Sequence, residues 1–350
     1  VRGTTITWWE LERPGLTMPV RTDPTGRSGP TPGQARGPRW RTTSRGLRVP
    51  ADVDDSVVEQ RIVEAAAVLP REGGVSGWAG LRWYGGHWFD GLGGDGLTRL
   101  PVTLATGDST IVAQPGFEIS EEHLRPYDVV LVDGMPVTIP LRSVTYLARY
   151  AADWRDAVVA IDMAAYHDLV STAEVRRYQE TLPAWTGIGQ CRKATAHADE
   201  NAWSPREVRT RLVWTEDAEL PRPWTNRPVF DRWGTMVGTP DLLDEEAGVA
   251  VDYDGAVHLV GSQRRRDRDR EEAFRRVGIE YLTVLAGDRD RGHLAARMRE
   301  VRSRARWAAP SQRPWTIEPP RWWVPTWTVE QRRNLTDAER ERLLRIRRTA

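Results

Sequence analysis

The sequence predicts a mixed chain of helices and strands (α/β, of the α+β kind) built from more than one domain. Three observations carry this. A length of 350 residues suits two or three domains. Runs at helical spacing alternate with short β-branched runs through the middle of the chain. Between residues 227 and 285 the order reads strand, strand, strand, helix, strand. Hydrophobic residues make up 39% and charged residues 28%, which is enough apolar side chain to bury a core.

Taken in order, residues 1–45 hold six prolines with scattered Gly, Thr and Arg and almost no apolar periodicity, so a loosely packed or disordered segment is expected. RGLRVP then reads as a short strand ending at Pro50. VVEQRIVEAAAVLP has helical spacing, and SGWAGLRWYGG reads as a second helix capped by Ser76 and stopped by two glycines. PVTLAT, STIVA and DVVLVDGMPVTIP read as strands. LRSVTYLARYAAD, WRDAVVAIDMAAYHDLV, TAEVRRYQETLP and GIGQCRKATAHAD form a helical cluster. SPREVRTRLVW has the strongest helix start of the chain: Ser204 as N-cap, Pro205 at the first helical position, and Glu207 three residues after the cap. After the link TEDAELPRPWTN come RPVFDRW, MVGTPDLL, GVAVDYDG, a helix from Asp267 to Val277, and GIEYLTVL. An Arg-rich helix at His293–Trp307 follows. The tail WTIEPPRWWVPTWT is expected to hold no regular element before a last basic helix at Thr336–Arg347.

A net charge of +1 hides local bias, since residues 1–45 carry eight arginines against three acids and residues 291–350 are Arg-rich. Such patches suit an acidic partner such as nucleic acid, although solvated helix faces read the same way. Lys193 is the single lysine among 50 basic residues, so any site requiring lysine has one candidate. Cys191 is also single, which excludes an intrachain disulfide and fits a reducing cytoplasm. No run of about 18 apolar residues and no signal-peptide pattern is present, so a soluble cytoplasmic protein without membrane contact is expected.

VAVDYDGAVH holds the chemistry. Asp252 and Asp254 alternate along a strand and therefore project from one face. An antiparallel hairpin from Met236 to Asp254 would place Asp241 near Asp252. Carboxylates so gathered repel unless a cation lies among them, and oxygen donors favour a hard divalent ion, Mg²⁺ or Mn²⁺. Simpler readings stand beside this one. Asp254-Gly255 is a good turn pair, Glu207 suits a capping box, Asp241 suits a turn, and His258 could be an ordinary half-buried histidine.

SPREVRTR, TPDLL, DYDGAVH, RRRDRDRE and GIEYLTVL occur here in the order found in PD-(D/E)xK nucleases, and this part of the chain resembles their very-short-patch-repair-like branch. The resemblance covers residues 200–290 and implies a restriction-endonuclease-like core, a mixed sheet flanked by helices. It implies Asp241 and Asp252 as metal ligands, Glu207 as an added acid from the leading helix, and Asp254 in the slot of the usual lysine. His258 would assist proton transfer or phosphate contact. Residues 46–200 resemble the antitoxin-like region of the AbiE abortive-infection family, in which a winged helix-turn-helix comes first. Here the proline-rich segment replaces its expected helices, leaving a degenerate winged-helix remnant with RGLRV as the wing.

The resulting expectation is four segments: 1–45, the antitoxin-like region 46–200, the nuclease-like domain 201–308, and a Trp/Pro-rich basic tail 309–350. The implied function is a metal-dependent DNA endonuclease or nickase, with Arg265, Arg266 and Arg270 on the DNA backbone. A non-catalytic DNA-binding regulator on the same scaffold is the alternative, and an interaction protein of phage defence, with a toxin or defence-system partner, is a third. Trp322 and Trp323, beside Arg321, are the aromatic pair best suited to stack on bases.

Overall fold

The computed structural model describes residues 7–109, 111–254, 261–288, 290–345 and 347, with the backbone alone for residues 261–267. The chain divides into two compact units, residues 1–151 with 177–191 and residues 152–176 with 192–350. Each is a mixed α/β arrangement of open sheets flanked by helices. Among the described residues no helix is long and apolar enough to cross a membrane.

The first unit begins with β1 (Val20–Arg21), β2 (Trp40–Ser44) and β3 (Leu47–Pro50), an antiparallel sheet in the order β1-β3-β2. This corrects the expectation of a disordered segment over residues 1–45, for the part of it that is described. The order comes from long-range pairing that a two-residue strand cannot announce by periodicity. It also comes from Asp23, whose carboxylate accepts backbone N–H bonds from Thr25, Arg27 and Ser28 and closes the proline-rich turn. After α1 (Val58–Ala66) come β4 (Gly74–Ser76), α2 (Gly77–Trp83), β5 (Val102–Ala105), β6 (Phe117–Ser120), β7 (Val129–Val132), β8 (Met135–Thr138) and α3 (Pro140–Tyr150). Their five-stranded sheet runs β6-β5-β4-β8-β7. The expected strand at STIVA does not form in the described part of that stretch, while β4 and β6 were not legible. Strand β4 turns into α2 without a loop, and Gly77 makes this turn at φ +60, with Thr103 against it.

The second unit opens with α4 (Trp154–Tyr166); α5 (Thr172–Glu180) and α6 (Ile188–His197) lie partly in each unit. Next come α7 (Pro205–Leu212), extended by a π-helical turn over Val213–Asp217, and the short strands β9 (Trp224–Thr225), β10 (Val229–Asp231), β11 (Met236–Gly238) and β12 (Leu242–Asp244). Then follow β13 (Val249–Asp254), α8 (Gly261–Arg276), β14 (Glu280–Leu285), α9 (Arg291–Arg304), β15 (Trp315–Thr316), α10 (Val329–Arg333) and α11 (Asp337–Leu343). One sheet runs β14-β13-β12-β9, with β13 and β14 parallel and the other pairs antiparallel; the second runs β11-β10-β15.

Strand β13 is apolar over VAV because both of its faces are covered. Val249 and Val251 join Trp214, Leu294, Met298 and Val301 on the side of α9. Ala250 joins Phe274, Tyr281 and Trp315 on the side of α8. MVGTPDLL, expected as one strand, breaks at Thr239–Asp241, and its halves belong to different sheets. Pro240 has no N–H to give a ladder, so the chain changes sheet there. The tail also departs from expectation: β15 pairs with β10, and Thr328 starts α10 with a capping box. Arg332, fully buried, bonds to Asp168 at 2.6 Å and to the carbonyls of Ala165 and Glu200. Residues beyond 308 therefore complete this unit.

Helices α4 and α7 are joined through a buried ion pair, Arg211 with Asp162 at 2.5 Å, both almost without solvent contact. Removing one partner strands the other charge in a dry environment. Asp162→Ala is expected to cost about 3–5 kcal/mol, whereas the double change Asp162→Leu with Arg211→Met costs far less. Urea denaturation of the full chain, with both variants compared with the wild type, measures the difference.

Candidate active site

The pairing of β12 with β13 sets the site. Leu242 faces Val251, so the preceding Asp241 stands opposite Asp252. The two residues are cross-linked through their backbones: the Asp241 N–H donates to Asp252 Oδ1 at 2.8 Å, and the Tyr253 N–H donates to Asp241 Oδ2 at 2.7 Å. The structure thus brings these two aspartates together, by a hairpin over 242–251 rather than the longer one from Met236. Asp252 is 3% exposed, and Asp241 keeps more contact with solvent.

Glu207 reaches the same place from α7. Ser204 caps that helix by accepting the Glu207 N–H at 3.2 Å. The Glu207 carboxylate does not return to the Ser204 N–H as a capping box would. It accepts from the Trp203 N–H at 2.8 Å and from the Asn226 side-chain amide at 2.7 Å. Burial, and then the charges of Glu207 and Asp252, hold the Asp241 carboxyl well above the ordinary carboxylate range. Burial likewise pushes Glu207 up, against the opposing bonds from Trp203 and Asn226.

Two groups on the α8 side answer the negative charge. Arg270 sets its Nε 3.1 Å from Asp252 Oδ2, and the Tyr281 hydroxyl donates to the same oxygen. Tyr281 lies on β14 opposite Ala250 and stacks on Phe274 at 5.7 Å between ring centroids. Burial, followed by the nearby Asp252 charge, raises its phenol far above the usual range, so it remains a donor. Asp254 ends β13 two residues beyond Asp252, on the same face by strand alternation and partly exposed. His258 lies outside the described residues, as do the side chains of Arg265 and Arg266 on α8.

Sequence reasoning missed Asn226 and Tyr281. Asn226 follows β9 with φ 46, a left-handed conformation that asparagine tolerates. Its N–H donates to the Asp241 carbonyl at 3.0 Å, while its amide spans the Asn201 carbonyl and Glu207. The signal available was an asparagine between a Trp-Thr pair and Arg-Pro, a turn in composition. Nothing in GIEYLTVL singles Tyr281 out as the partner of an acid 29 positions away.

Among the described residues, no group of three or more His, Cys, Asp or Glu side chains is arranged to hold a metal ion as the structure stands. The donor chemistry nevertheless fits magnesium, which takes one or two carboxylates and fills its remaining positions with water and substrate phosphate. Asp241 and Asp252 are the two carboxylates that would serve, with the buried Glu207 beside them. Comparison with protein-family models, characterised proteins and solved structures returns no match for the chain.

The raised acids fix a sign for stability. An acid whose folded pKa lies above its unfolded value contributes fully below the unfolded pKa and loses that contribution as pH rises through the folded one. Asp241→Asn is therefore expected to raise the melting temperature at pH 7–8, by roughly 2–4 °C for about 1 kcal/mol. The gain should disappear toward pH 4, where the wild-type carboxyl is already neutral. Thermal unfolding across that pH range, without added metal, checks it; an equal gain at both ends would contradict the assignment.

Proposed function

We propose that the second unit hydrolyses phosphodiester bonds of DNA with a divalent ion, Mg²⁺ or Mn²⁺, as an endonuclease or nickase on a restriction-endonuclease-like core. The observation that carries this reading is the facing pair Asp241 and Asp252 with the buried Glu207 beside it. Three carboxyls meeting at the end of a sheet are destabilising unless a positive group is to be bound there. The order of elements supports it: a capped helix with an inward acid, an antiparallel hairpin, then β13 and β14 joined in parallel through α8. The likeness of residues 200–290 to the very-short-patch-repair-like nucleases points the same way.

Asp241 and Asp252 would hold the ion, which when bound polarises a phosphate and makes water a stronger nucleophile. The chain's own residues do the rest. Asn226 fixes Glu207 by a hydrogen bond to one carboxylate oxygen. Asp254, partly exposed on the same face, would accept a proton from attacking water. His258, outside the described residues, would share the proton transfer, as the resemblance implies. The Arg270 guanidinium, already at the acids, is within reach of a phosphate oxygen, with Arg265 and Arg266 earlier on the same helix. DNA is the partner; a toxin or defence-system protein is the further partner suggested by the antitoxin-like resemblance of residues 46–200.

A second reading, a DNA-binding regulator without catalysis, is favoured by one fact: both Asp252 oxygens are engaged within the protein. Supercoiled plasmid separates the two. Hydrolysis predicts nicking or linearisation that requires Mg²⁺ or Mn²⁺, stops with EDTA, and falls by about a hundredfold or more in Asp241→Ala. A folded wild type that binds plasmid without cutting it, and binds equally well as Asp241→Asn, sinks the hydrolytic reading in favour of the regulator.

A further inference from the structure

Four of the donors around the facing aspartates differ in how they can move. The Asp241 N–H on Asp252 Oδ1 and the Tyr253 N–H on Asp241 Oδ2 belong to the backbone where β12 begins and β13 ends. The Tyr281 hydroxyl on Asp252 Oδ2 belongs to a residue that is 8% exposed, stacked on Phe274 and carried by β14. None of these three can leave without breaking a strand pair or opening the core. Arg270 is different. Its side chain is 40% exposed and that of Asp252 only 4%, so the arm runs inward from solvent to its ion pair at 3.1 Å. Gly238, at the end of β11, leaves room beside the stem: a Cβ there would stand 3.7 Å from Arg270 Cγ and 2.9 Å from the Phe274 ring.

Of these four donors the guanidinium alone carries a charge. That charge also reaches Asp241, where it opposes the rise caused by burial and by the neighbouring acids. A divalent ion on Asp252 would bring a second cation beside the guanidinium, and like charges so close repel strongly away from water. The two therefore exclude each other at Oδ2. Turned away from Asp252, Arg270 keeps its charge and its five donors at the exposed end of the site, on the same helix as Arg265 and Arg266. A phosphate with its several oxygens suits that planar fork.

We propose that Arg270 is an exchangeable counter-ion: it neutralises Asp252 when no divalent ion is bound, and turns from Asp252 to a DNA phosphate when one is. Metal and DNA then favour each other's binding through one side chain, because each claims one of its two alternative partners. Tyr281 stays on Asp252 in both states and keeps the carboxylate in place. The proposal rests on the metal-site reading above and adds to it that the site loads fully only with metal and DNA together. A purely structural ion pair behaves otherwise: its loss lowers stability and leaves the coupling between metal and DNA as it was.

The test uses the full chain. Mn²⁺ is the metal probe, read by titration calorimetry; a fluorescent DNA duplex with phosphorothioate linkages, which resist hydrolysis, is read by anisotropy. Without DNA, Arg270→Gln is expected to bind Mn²⁺ about tenfold more tightly than the wild type, because a charge-assisted bond no longer has to be broken. Arg268 is exposed on the same helix; Arg268→Gln removes an equal charge and is expected to stay within about twofold at physiological salt. In EDTA, Arg270→Gln should bind the duplex as the wild type does, since Arg270 is then committed to Asp252. With Mn²⁺ it should bind the duplex about tenfold more weakly. A melting curve verifies the fold of each variant. Should Arg270→Gln fail to fold, Arg270→Lys, which keeps a charge but loses the fork, takes its place with the same directions and smaller shifts. The proposal is overturned if the Arg270 variant leaves Mn²⁺ affinity unchanged or weakens it, or if it weakens duplex binding equally in EDTA and in Mn²⁺. Asp241→Ala separates this proposal from the reading it rests on. If Mn²⁺ binding is indifferent to Asp241, both fall; if it needs Asp241 and ignores Arg270, the exchange alone falls. Exchange at Arg270 without plasmid cleavage would support the exchange and count against hydrolysis alone.

Discussion

The second unit is organised around a register. Once Leu242 pairs with Val251, Asp241 must stand across from Asp252, and the capped start of α7 adds Glu207 to the same low-dielectric place. Like charges gathered away from water are unfavourable, and much of the surrounding detail answers that one problem. Three backbone N–H groups, the Tyr281 hydroxyl, the Arg270 guanidinium and the Asn226 amide all turn toward these carboxyls. They come from six separate stretches of chain, so the cluster also ties β9, β12, β13, β14, α7 and α8 together. An ion entering the site would find its first competitor in Arg270, which already sits at Asp252.

A single residue braces this cluster from the end of β9. Asn226 adopts φ 46, and this conformation lets its N–H hold the Asp241 carbonyl while its side chain spans Asn201 and Glu207. A β-branched residue in place of Asn226 would meet the steric penalty of left-handed backbone and would lose both amide bonds. Asn226 thus braces two of the acids, Asp241 through its carbonyl and Glu207 through its carboxylate.

Aromatic and guanidinium groups play an equally structural part. Arg332 is fully buried and is spent on Asp168 and backbone carbonyls, and Trp323 sits at 5.2 Å from Phe230 in an edge contact. Trp322, expected with Trp323 as a base-stacking pair, is the more exposed of the two, at 64%, and also meets Phe230 edge-on. The Arg- and Trp-rich tail therefore serves packing in this unit, and its composition alone did not distinguish packing from nucleic-acid contact.

The sequence by itself determined what is local. Ser204, Pro205 and Glu207 start a helix because cap, ring and first-turn acid each satisfy that helix's own end. Alternation along VAVDYD puts Asp252 and Asp254 on one face whatever lies around them. Closeness of Asp241 to Asp252 was legible too, since a short turn between two strands leaves few registers. The tertiary structure alone decided what depends on distant segments. It broke MVGTPDLL between two sheets at Pro240, paired Phe230 with Thr316, and brought Tyr281 to Asp252 through a parallel strand. It also ordered the described part of the proline-rich segment by pairing β1 with β3. Two-residue strands carry no period, and a hydrogen bond across dozens of residues leaves no spacing to read; such contacts exist only once the chain has folded on itself.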